Sequence, residues 1–109
     1  MTRAKLIMQI TELQVQIDNL EVMARKYTEG SNYQATHQSL REARHDLQEA
    51  VSRLRIIDDQ WLLKAEHNVE TLKKWAEDAD PGEKARLQDQ IEEYKARIEK
   101  RKQSMQQYG

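Results

Sequence analysis

A chain of 109 residues, 38% hydrophobic and 34% charged and without Phe, has too little apolar material for a deep globular core or an enzyme cleft. The lack of Cys excludes disulfides, thiolate catalysis and Cys-ligated zinc. The formal net charge is -1, with acids and bases interspersed, which argues against a general polyanion binder.

No run approaches the roughly 18 apolar residues of a membrane span. Met1 is followed by Thr2, Arg3, Ala4 and Lys5, not by a signal-peptide apolar stretch. A cytoplasmic protein is therefore expected, with no membrane span. Its only glycines and proline are Gly30, Pro81, Gly82 and the terminal Gly109. So few breakers leave little room for loops and define three helices, over about 3–29, 32–78 and 81–108.

In the first helix Leu6, Ile10, Leu13, Ile17, Leu20, Ala24 and Tyr27 recur in alternating steps of four and three, the spacing of a coiled-coil seam. Gly30 is expected to supply a left-handed stop. Ser31 with Gln34 forms a capping-box pattern for the next helix, so the chain reverses there.

The second helix carries Tyr33, Leu40, Ala43, Leu47, Ala50, Leu54, Ile57 and Trp61 on its seam, then Ala65, Val69, Leu72 and either Trp75 or Ala76. Two consecutive steps of four, Trp61 to Ala65 to Val69, make a stutter that rotates the apolar stripe. Ile56, Leu62 and Leu63 widen it nearby, and the helix is expected to change partners there. In Asp80-Pro81-Gly82-Glu83 the aspartate reads as an N-cap, with proline at the first helical position. The third helix then carries Leu87, Ile91, Tyr94, Ile98, Met105 and Tyr108, with Arg101 at a seam position, where a polar residue sets register or marks a wet end.

The expected fold is all-α, a single domain over 1–109. It is an elongated antiparallel helical bundle or coiled coil whose central helix, about 47 residues, would measure roughly 70 Å. Two-helix hairpins bury one side of each seam, so a third helix has to come from elsewhere. Met8, Val15 and Val22 repeat every seven residues opposite the main seam of the first helix. They read either as scattered surface apolars or as a second contact face. With Ile56, Trp61, Leu62, Leu63 and Trp75 they form the candidate interaction set.

From Trp61 onward the chain resembles a spectrin-type repeat of the plakin and nesprin kind. Trp61-Leu62-Leu63-Lys64-Ala65-Glu66 is similar to the tryptophan-led first helix of such repeats. Asp80-Pro81, Leu87, Ile91 and Ile98-Glu99-Lys100-Arg101-Lys102 are similar to the second. The resemblance covers about half the chain. It implies three-helix units whose last helix runs into the first of the next, and here the chain would be out of phase: second, third, then first and second helices. A piece of a longer repeat array fits that phase. The segment before Ile57 lacks the tryptophan that the family often carries in its last helix.

Glu42 and His45 have the Glu-x-x-His spacing of di-iron bundles, but a second motif and inward carboxylates are missing and no seam position holds an acid, so neither metal nor cofactor is expected. His37, Arg41, Arg44 and His45 read as a solvated face, with an acidic partner or phosphate as the alternative. No phosphate loop or nucleophile-base arrangement is present, so an enzyme is not expected. Lys95, Arg97, Lys100, Arg101 and Lys102 gather late in the last helix, where cations complement the helix dipole. Interleaved Glu92, Glu93 and Glu99 argue against nucleic acid, and the seam spacing of the aromatics argues against base stacking. Charges on both flanks of the seams favour helix partners over a lipid surface.

The expected function is a non-enzymatic scaffold or protein-protein interaction module that self-associates, as a homodimer. The main alternative is a small regulatory or inhibitory protein that sequesters one partner protein. A nucleic-acid-associated helical subunit ranks third.

Overall fold

The structure is a computed structural model and describes residues 2–27 and 30–108, with the backbone alone at Ser31. It is all-α, with α1 at Arg3–Lys26, α2 at Ser31–Asp78 and α3 at Pro81–Tyr108. At 48 residues, α2 is nearly as long as α1 (24) and α3 (28) together. The chain divides into two compact units, the first reaching Leu54 and the second starting at Arg55. Helix α2 contributes its first half to one and its second half to the other.

In the first unit α1 begins where the Thr2 hydroxyl accepts the Lys5 amide at 3.3 Å. The helix ends at Lys26, with Tyr27 in extended conformation and its N–H still donating to the Met23 carbonyl. That is three residues short of the expected end. Gly30 does take a positive φ, of 89°, but it leads into α2, its carbonyl accepting the Gln34 amide at 3.2 Å. The expected stop at Gly30 is therefore corrected to Tyr27, while the Ser31 side chain of the proposed capping box lies outside the described residues. Leu6, Ile10, Leu13 and Ile17 of α1 are buried in steps of four, three and four. Ile17 packs with Leu40 and Ala43 of α2, flanked by Leu20 and Leu47.

On α2 the buried seam differs from the expected one at its start. Thr36 is buried and Tyr33 exposed, although both continue the four-three spacing back from Leu40 and Ala43. Tyr33 instead lies 4.2 Å from the His37 ring. Ala50, Leu54 and Asp58 then follow in two consecutive steps of four, all nearly inaccessible. The unit boundary falls between Leu54 and Arg55, so the change of partner comes earlier than the expected site around Trp61. Two successive fours advance the buried stripe by about 80° around α2.

The second unit is a hairpin of the later part of α2 and α3, joined through Ala79 and Asp80. Asp80 caps α3, its carboxylate accepting the Glu83 amide at 2.9 Å. The core unites Ala65, Val69, Leu72 and Ala76 with Leu87, Ile91 and Ile98. Of the two residues proposed for the last seam place, Ala76 is buried and Trp75 is exposed. Next to so short a connection the helices lie close, and a methyl fits between them where an indole does not. No helix is long and apolar enough to cross a membrane among the described residues.

Candidate interaction surfaces

Met8, Val15 and Val22 fall on one exposed line of α1, at 62%, 56% and 49% of their full accessibility. Seven residues is two helical turns within about 20°, so the three share a face. The residues three and four away, which border that face, include Lys5, Glu12, Asp18, Arg25 and Lys26. Across the hairpin Arg44 donates to Glu21 at 3.2 Å.

The other candidates separate into two groups. Trp61 and Leu62 pack against the core of the second unit. Ile56 and Leu63, also seven apart, stay exposed, as does Trp75. The widened stripe is thus divided, because Leu62 lies about 120° around the helix from Ile56 and meets the core of the second unit where Ile56 meets solvent.

One buried charged group escaped the sequence reading. Asp58, 1% accessible, lies 3.4 Å from the Arg101 guanidinium of α3. Arg101 is also 4.4 Å from the Trp61 ring centroid, so the guanidinium meets an aromatic face and a carboxylate together. A carboxylate does hold a seam position, correcting the expectation that none would. Arg101 supplied the signal that could have found it, because a cation on one seam of a hairpin calls for a counter-charge on the facing seam. Its place between helices agrees with the register-setting option for a polar seam residue.

Trp75 stands between two shallow grooves that run between α2 and α3. One is lined by Thr71, Leu72, Gln90, Glu93 and Tyr94, the other by Asp78, Ala79, Glu83, Arg86 and Leu87. Glu83 and Arg86 pair at 3.3 Å, and Arg97 lies 5.7 Å from the Tyr94 ring.

Of the residues weighed for metal or phosphate chemistry, Arg44 bonds across the hairpin to Glu21, while Glu42 and His45 have neighbours on α2. Glu42 accepts from Gln38 at 3.2 Å, and His45 lies 3.4 Å from Glu49. Among the described residues no group of three or more His, Asp or Glu side chains is arranged to hold a metal ion. Comparison with family models, curated proteins and solved structures finds no match.

Proposed function

We propose that the chain is a non-enzymatic helical interaction module that completes its packing by pairing with a second copy of itself. The observation that carries this reading is the exposed column of Met8, Val15 and Val22, spaced like a seam on the face of α1 away from its buried one. Burying each of these side chains is worth roughly 1.5 to 3 kcal/mol, so three of them on two chains form a substantial apolar contact. Ile56 and Leu63 offer a second such line on α2. A scaffold or spacer built from coiled-coil contacts is the class of function that such surfaces serve.

The spectrin-type likeness of the second half supports the same reading. Trp61 lies inside the continuous α2 and packs against the core that the second half of α2 shares with α3 after the Asp80-Pro81 turn. We place residues 61–109 as two helices of such a unit, with self-association running through the separate α1 face.

The test is light scattering over a concentration series for the native chain and for the double variant Val15→Glu/Val22→Glu. The native chain should show twice the mass of 12.9 kDa and the variant the single mass, with unchanged helical circular dichroism. A native chain that remains at the single mass, or a variant that still dimerises, would reject the α1 face as the interface.

A further inference from the structure

We propose that the Trp75 face is a second docking surface, and that its occupant is an amphipathic helix of another protein whose apolar stripe is flanked by Lys or Arg. The inference rests on the reading of the chain as an interaction module and names a partner for a different face from the one that self-association uses.

Trp75 is 61% exposed although it sits on a helix whose neighbouring turns, Leu72 and Ala76, are buried. Large exposed aromatics anchor interfaces out of proportion to their number, because one indole supplies wide contact area with few rotatable bonds. The grooves on its two sides follow the seam between α2 and α3, so a third helix laid along that seam would place one apolar side chain on each side of the indole.

Charge decides the chemistry of that helix. The groove linings contain three carboxylates, Asp78, Glu83 and Glu93, and one cation, Arg86, which is already paired with Glu83. Asp78 lies on α2 and Glu93 on α3, so acids border Trp75 from both helices. A partner with acidic flanks would bring like charges together at both edges. Basic flanks meet Asp78 and Glu93, and a Lys or Arg can also stack on the exposed indole.

The experiment uses two synthetic helical peptides with the same leucine spacing, one flanked by Lys and one by Glu, titrated into the full chain by calorimetry. The Lys peptide should bind at least tenfold more tightly than the Glu peptide. Trp75→Ala should weaken it at least tenfold, and Asp78→Lys/Glu93→Lys should invert the preference. All of these are surface changes that leave the hairpin core intact, and circular dichroism checks this. Equal affinities, no binding of either peptide, or indifference to Trp75→Ala would overturn the proposal. So would light scattering in which Trp75→Ala abolishes dimerisation, since the occupant would then be a second copy. A monomer that binds the Lys peptide through Trp75 rejects self-association alone, and a dimer that binds neither peptide rejects this inference alone.

Discussion

A carboxylate is held in a helix seam only when a cation meets it there, and Asp58 meets Arg101. Two well-packed apolar residues would often be as stable as such a pair, so its main effect is on which residues face each other. A slip of α3 by one turn would separate the charges and move the guanidinium off the Trp61 ring. Removing one partner is costly because the other charge remains buried. Arg101→Met should therefore cost about 3 kcal/mol, read from urea denaturation. The double variant Asp58→Leu/Arg101→Met should be more stable than Arg101→Met by at least half that loss. A double variant no more stable than the single would mean that Asp58 does not depend on Arg101.

At the scale of elements, the two internal glycines differ in what they do for the helices they adjoin. Gly30 has φ of 89° and open space around a would-be Cβ, so any penalty for a side chain comes from the backbone alone. Gly82 lies inside the first turn of α3, where a Cβ would make only an ordinary 3.7 Å contact with the Asp80 carboxylate. Gly30→Ala should destabilise by about 1 kcal/mol, and Gly82→Ala should stabilise by about 0.5 kcal/mol through a less mobile unfolded chain. Urea midpoints moving in opposite directions would verify the pair, and a shift of the same sign in both would refute it. The helices themselves were legible because Leu6 to Ile17 and Leu87 to Ile98 keep one period without interruption. The details that were not legible arise where neighbouring positions compete for one seam place. Trp75 and Ala76 differ by about 100° around the helix, and hydrophobicity favours the tryptophan while the closeness of two helices near a turn favours the alanine. Asp58 was missed because aspartate is rarely buried, and only the facing helix reveals its partner. Of the candidate interaction residues, periodicity could mark Met8, Val15 and Val22 as a column. It could not say that Leu62 packs against the core of the second unit while Leu63 faces solvent, because that depends on where the partner helix lies.

For the molecule as a whole, the proposed self-association makes folding and assembly one equilibrium. If the native form is a dimer and the unfolded form a single chain, mass action adds about 1.4 kcal/mol to the stability of the dimer for each tenfold rise in concentration. Spread over the unfolding entropy of two such chains, this raises Tm by about 3 to 5 °C per decade. Differential scanning calorimetry of the native chain across two decades of concentration should show that slope. Val15→Glu/Val22→Glu should show none, because a monomer has the same Tm at every concentration. The slope separates a true pairing of folded chains from the incidental contact of apolar side chains at the high concentrations of a scattering experiment. A flat native profile would leave Met8, Val15 and Val22 as ordinary surface residues, each tolerated singly on a helix that is already stabilised by the seam on its opposite side.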